Sequence, residues 1–308
     1  MIVKELSEIR AMLTSKFFYT PLPFGSWSSR ELLEMLDNID KDAKEREEFV
    51  EMHAIDIMKY LYVHKCAPIS YILRDCAPEA NELKLEKYLN SLVKQRMLNC
   101  FILTDNDSQP FDENGLVFYT VDYGAVAILR WKLDDEMIEN WKATDLFMSG
   151  LQVKKQLMLI DFYKYVKGLD LEYWIENQLY KSYEARLRVR GTMKISGKVF
   201  LVETATADDV LESNSDHLLE KILRYENLLA TEGWKYYFAT EETWNTAKVP
   251  TLIVYCDSLE TIKFLAPRVG EVKIENLRYA YMDGEKLKFF KFADGALAPV
   301  KTKTFEKA

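Results

Sequence analysis

Apolar and polar positions alternate along this chain with two clear periods, one helical and one of strands. The spacing of Ile55, Met58, Leu61 and Tyr62 predicts a helix over Phe49 to Val63. Pro68-Ile69-Ser70 opens a second helix, Tyr71 to Asp75, and Ala77 to Asn81 forms a turn. A third helix, Glu82 to Gln95, has Leu85, Leu89, Leu92 and Val93 on one side. Leu98 to Thr104 and Leu116 to Val121 are rich in β-branched and aromatic residues and predict two strands, with Asp105 to Gly115 as the loop between them. Asp122 caps a further helix, Tyr123 to Trp131. Upstream, Met1 to Leu13 has the pattern of a short helix. Phe17 to Gly25 carries two prolines and cannot be helical, so its aromatics are expected to pack onto a domain or else to form a partner surface. Ser28 and Glu31 are spaced as a capping box for a helix through Leu32, Leu33, Leu36 and Ile39, and Asp40 to Glu48 is a solvated charged stretch.

Beyond the hairpin, Asp134 to Gly150 and Leu151 to Lys167 predict two more helices. After Lys167-Gly168-Leu169-Asp170 the period changes to strands at Leu171 to Tyr180, Tyr183 to Met193 and Val199 to Thr206. A helix over Ser213 to Thr231 follows, with Leu218, Leu219, Ile222, Tyr225 and Leu229 inward. Strands at Trp234 to Thr240 and Thr251 to Cys256 flank it, then a helix over Ser258 to Ala266. Tyr279 to Met282 and Leu287 to Phe292 form a hairpin around Asp283-Gly284, and Lys301 to Ala308 is a mobile tail. The pattern divides the chain into an extension (1–48), a first domain (49–133), a helical linker (134–168) and an α/β domain (169–300).

The order helix, helix, helix, hairpin, helix is that of a winged helix-turn-helix. The expected fold class is therefore α+β, with an N-terminal winged helix-turn-helix domain followed by an α/β restriction-endonuclease-like domain. Lys84, Lys87, Tyr88, Ser91 and Gln95 fall on the polar side of the third helix, and Arg96 follows it. These residue types reach phosphates and base edges in a major groove, so double-stranded DNA is the expected partner. The loop of the hairpin is acidic, with Asp105, Asp107, Asp112 and Glu113, and is poorly suited to gripping phosphates. The net charge of −8 counts against nonspecific coating of nucleic acid and confines any DNA contact to one local face.

The strand and helix order of the second domain is that of nucleases whose metal is held by an Asp on one strand and an E-x-K on the next. Glu203 stands at the Glu position, Arg190 stands where the Asp would be, and Ala205 replaces the Lys. A cation in the aspartate place repels Mg²⁺. From Phe49 to Pro267 the chain resembles the replication-relaxation family, on the Phe118 to Ala125 exit from the hairpin and the Gly197 to Glu203 strand. The resemblance implies a role in the replication, transfer or transcriptional control of plasmids and integrative elements, with replication or transfer proteins as partners. The second domain is then a surface for a homodimer, a partner or auxiliary DNA contact. Arg186, Arg188 and Arg190 alternate along one strand and are expected to share a face for phosphates, or else to pair with nearby acids.

Other chemistry is sparse. Cys66, Cys76, Cys100 and Cys256 form no C-x-x-C pair, and His64 with Cys66 and Cys76 lacks the ligands and spacing of a zinc site. No glycine-rich phosphate loop and no Ser-His-Asp set occurs. Asp208, Asp209, Glu212 and Asp216 offer displaced metal ligands or simply an acidic helix start. The N-terminal residues lack the apolar core of a signal peptide and no run suits a membrane span, so a cytoplasmic protein without membrane partners is expected. The leading expectation is a sequence-specific DNA-binding protein with no catalytic residues, metal or cofactor. Its alternatives are a divergent metal-dependent nuclease and a winged-helix module for protein contacts.

Overall fold

The computed structural model describes residues 12–15, single positions between 28 and 41, and residues 54–104, 116–133, 150–181, 186–210, 215–235, 249–270 and 272–305. The fold is mixed α and β. It comprises two compact units, residues 1–157 and 158–308, so the division falls ten residues or more before the boundary the sequence suggests. The expected helix over Asp134 to Gly150, apart from Gly150 itself, and the acidic hairpin loop lie outside the described residues, as do the aromatics of Phe17 to Gly25.

In the first unit, strand β1 (Met12–Ser15) precedes helix α1 (Ala54–His64), β2 (Ala67–Pro68), α2 (Ile69–Cys76) and α3 (Glu82–Lys94). Then come β3 (Leu98–Thr104), β4 (Leu116–Val121) and α4 (Tyr123–Leu133). The sheet order is β1-β3-β4-β2, antiparallel throughout. Met12 and Leu13 were expected in a helix, but they pair with Thr104 and Leu103 in the strand β1. The two-residue β2 was not expected at all, because a run so short carries no period; it pairs with Tyr119 and Phe118. The core gathers Ile57, Met58 and Leu61 of α1, Leu85, Leu89 and Leu92 of α3, and Phe118 and Tyr119 of β4. Farther upstream the capping box is formed as the sequence suggests. The Glu31 carboxylate accepts from the Ser28 amide and hydroxyl, both at 2.7 Å, and Ser28 Oγ accepts from the Glu31 amide at 3.3 Å.

Helix α5 (Gly150–Lys167) crosses the division between the units. The second unit continues with β5 (Leu171–Lys181), β6 (Arg186–Ile195) and β7 (Lys198–Ala205), a meander. The turn between β6 and β7 is Ser196-Gly197, both at positive φ (48° and 73°), the geometry of a tight hairpin turn. Short α6 (Ala207–Val210) and long α7 (Ser215–Ala230) then carry the chain to β8 (Thr251–Cys256), which lies parallel to β7. Helix α8 (Leu259–Val269) leads to β9 (Leu277–Asp283), parallel to β8. Such crossovers need an intervening helix, and α7 and α8 supply it. The strands β10 (Lys286–Ala293) and β11 (Ala296–Val300) close a seven-stranded sheet of order β11-β10-β9-β8-β7-β6-β5.

Both faces of this sheet are covered. Leu218, Ile222, Tyr225 and Leu229 of α7 and Ile262, Leu265 and Val269 of α8 pack with Leu201, Leu252 and Val254. Leu159, Phe162 and Val166 of α5 pack with Met193, Phe200, Val202 and Ile253 on the other side. Trp234 was expected to begin a strand, but it lies in the turn after α7, and residues 236–240 of that stretch fall outside the described residues. Residues 301–308 were expected to be mobile. Instead a 3₁₀ turn at Lys303–Phe305 buries Phe305 against Phe200 and Phe289. One aromatic supplies the burial that holds this turn, a signal too small for any period to reveal.

Candidate nucleic-acid interface and the carboxylate cluster

Helix α3 starts at Asn81, whose side-chain oxygen accepts from the amides of Leu83 and Lys84. It ends in a Schellman arrangement: Met97 N donates to Leu92 O at 2.9 Å and Arg96 N to Val93 O at 3.0 Å. Glycine is usual at the turning position, yet Arg96 holds it at φ 62°. Its guanidinium explains how. Nε donates to Asp122 Oδ2 at 2.6 Å and Nη2 to Oδ1 at 3.2 Å, and both side chains are buried. Asp122 also accepts from the amide of Tyr123, and its own amide donates to Met97 O. The end of α3 is thereby fastened to the start of α4.

This geometry sorts the six expected DNA contacts. Lys84, Lys87 and Gln95 are exposed and Ser91 is half-buried. The Ser91 hydroxyl donates to Tyr88 O at 2.7 Å. Tyr88 is not on that face. It is 1% exposed and belongs to the core, as its place three residues after Leu85 and four before Leu92 requires. Arg96 is likewise not a backbone contact, because its charge is used inside the protein by Asp122. Two further residues join this face. Lys94, exposed, extends the basic arc toward the end of the helix. Leu83, 69% exposed, stands in its first turn. The observed arc is Leu83, Lys84, Lys87, Ser91, Lys94 and Gln95.

In the second unit the three arginines part company. Leu187 and Val189 join the core beneath α7, whereas Met193 and Ile195, on the same strand and of the same parity, pack on the α5 side. The alternation of β6 therefore changes phase near Arg190, where the neighbouring β5 carries Asn177 at φ 54°. Arg186 and Arg188 are exposed on the face away from the α7 core. Arg190 turns the other way, and its Nε donates to Glu203 Oε1 at 2.9 Å. The single shared face expected from alternation does not form.

Glu203, 1% exposed, is the hub of a cluster. Besides Arg190, it receives Lys221 Nζ at 2.5 Å, the Tyr225 hydroxyl at 3.0 Å and the Thr204 amide at 3.1 Å. Burial and the adjacent Glu203 charge hold the Tyr225 hydroxyl well above its ordinary pKa, so it remains a donor. Lys221 escaped the sequence reading, although it lies three residues after Leu218 and four before Tyr225, on the inward stripe of α7. A lysine does reach the carboxylate, then, but from a helix rather than from position 205. With a guanidinium and an ammonium against it, Glu203 presents charge already compensated, which leaves it a poor ligand for Mg²⁺. The Asp208 and Asp209 alternative takes a structural form. Both are buried, and Asp209 Oδ2 accepts from the Thr206 amide and hydroxyl at 2.8 and 3.0 Å, capping α6. Among the described residues no group of three or more His, Cys, Asp or Glu side chains is placed to hold a metal ion, and Cys66, Cys76, Cys100 and Cys256 form no disulfide. No described helix is long and apolar enough to cross a membrane.

No family model matches the chain, and no curated protein matches it. Among solved structures, the crystal structure of protein VC1899 from Vibrio cholerae is similar at 12% identity and a TM-score of 0.23, over 79% of this chain and 50% of that one. The chain spans about half the length of that protein.

Proposed function

We propose that the first unit is a winged helix-turn-helix that reads double-stranded DNA through the exposed arc of α3. The observation that carries this is the composition of the arc. It has three lysines (Lys84, Lys87, Lys94), two hydrogen-bonding side chains (Ser91, Gln95) and one exposed apolar side chain (Leu83), and apart from Ser91 all are exposed. Cations meet phosphates, amides and hydroxyls meet base edges, and an apolar group suits a thymine methyl. The antiparallel pairing of β2 with β4 and of β3 with β4 around that helix supports the winged reading. On this reading the second unit is an endonuclease-like fold without catalysis, and the chain acts as a replication-relaxation-type protein in the replication, transfer or control of a mobile element.

Duplex DNA spanning the gene's own promoter and any neighbouring replication origin is the probe. Lys84→Ala with Lys87→Ala should weaken binding and lower the slope of log affinity against log salt by up to about 2, since each phosphate contact contributes roughly 0.9. An unchanged slope with unchanged affinity removes α3 as the reader. Loss of DNA binding in no variant, together with capture of a protein partner that requires Leu83, favours the protein-contact reading instead. The nuclease alternative requires a metal at Glu203, where Arg190 and Lys221 already stand.

A further inference from the structure

We propose that Arg190 and Lys221 form an oxyanion site in the second unit that takes a phosphate group, either on a nucleic-acid strand or free in solution. The site is built around Glu203. Among the described residues, Arg190 Nε, Lys221 Nζ, the Tyr225 hydroxyl and the Thr204 amide all reach its carboxylate. An ionised carboxylate has about four lone-pair positions, so these donors use its capacity. Arg190 contributes only Nε. Among the described residues no further hydrogen bond or ion pair engages its terminal nitrogens or the remaining N–H groups of Lys221.

Charge and exposure point the same way. Two cations, Arg190 and Lys221, meet the Glu203 carboxylate at a largely enclosed position. The Arg190 and Lys221 side chains are 18% and 27% exposed, whereas that of Glu203 is 1% exposed, so solvent and ligands meet the cations and not the acid. Partial burial strengthens such charges relative to a free surface. A guanidinium fork fits two phosphate oxygens, and an adjacent ammonium adds a compact third donor. Glu203 fixes both cations from behind, so little ordering remains to be done on binding. Arg186 and Arg188 face away from the α7 core and take no part, and the site is independent of the arc on α3.

The test is calorimetric titration of the full chain with inorganic phosphate at constant ionic strength, with a short single-stranded oligonucleotide as competitor. The wild type should bind phosphate. Lys221→Gln keeps the Arg190 to Glu203 pair and should bind roughly tenfold more weakly or worse, the usual loss for one charge-assisted hydrogen bond. Arg190→Lys preserves the charge but removes the fork, and should weaken binding in a chain whose circular dichroism is unchanged. Displacement of phosphate by the oligonucleotide makes a nucleic-acid strand the source, whereas phosphate binding without displacement makes it a free phosphate. No phosphate binding by the wild type, or equal binding by both variants, overturns the site.

Discussion

Single residues decide what faces solvent in this protein. Tyr88 and Lys84 lie on one helix four positions apart, yet one is core and the other is surface. The sequence does contain that distinction, since Tyr88 continues the Leu85 and Leu92 stripe. An amphipathic side chain at the border of the stripe simply allows both assignments. Arg96 is different in kind. Its left-handed backbone and its pairing with Asp122, 26 residues away, leave no local mark, because arginine replaces the glycine that would have signalled the turn. The same junction makes Gly124 irreplaceable. A Cβ there would stand 2.7 Å from Arg96 O and 2.8 Å from Met97 Sδ, and the nearer atom is backbone that α3 holds in place. Gly124→Ala should destabilise the first unit by about 1–3 kcal/mol, read as a lower denaturant midpoint with an unchanged slope.

Elements were legible where their period was long or their ends were marked. Strands β3, β4 and β8 begin and end where the pattern places them, and Asn81 and Ser258 accept the first amides of α3 and α8. The phase change in β6 was not legible, because strict alternation is the only signal a strand gives and nothing in the β6 residues marks the break. Lys221 was hidden for a related reason, since a cation on an inward stripe acquires meaning only from the Glu203 that another element brings to it. The capping box at Ser28 gives an element-scale prediction. The hydroxyl and then the amide of Ser28 hold the Glu31 carboxyl below its ordinary value of 4.5. The stabilisation from this cap is complete above that ordinary value and is lost as the pH falls through the lower, folded value. Ser28→Ala should return the Glu31 titration, followed by carboxyl NMR, toward 4.5. An unchanged titration would mean the box does not form in solution.

At the scale of the molecule, the mixed α and β class and the presence of two units followed from the change of period after Lys167. The point of division did not, because α5 reads as one unbroken helix and gives no sign that it crosses from one unit to the next. Nor did composition show that the second unit is finished by Phe305. Phe305→Ala removes a ring that meets both Phe200 and Phe289, and should cost about 3–5 kcal/mol, visible as an earlier thermal transition of the second unit. A matching loss should follow truncation after Lys301. That docking also orders events during synthesis. The Tyr165 hydroxyl donates to Phe305 O across 140 residues of chain, and β8 to β11 must be inserted beside β7 in between. While the ribosome is still extending those strands, α5 and the β5 to β7 meander are already outside, with Phe200 still lacking the Phe305 ring that packs on it. Until that ring emerges, the nascent second unit exposes apolar surface of the kind chaperones bind, at a stage when every residue of the first unit has already been made.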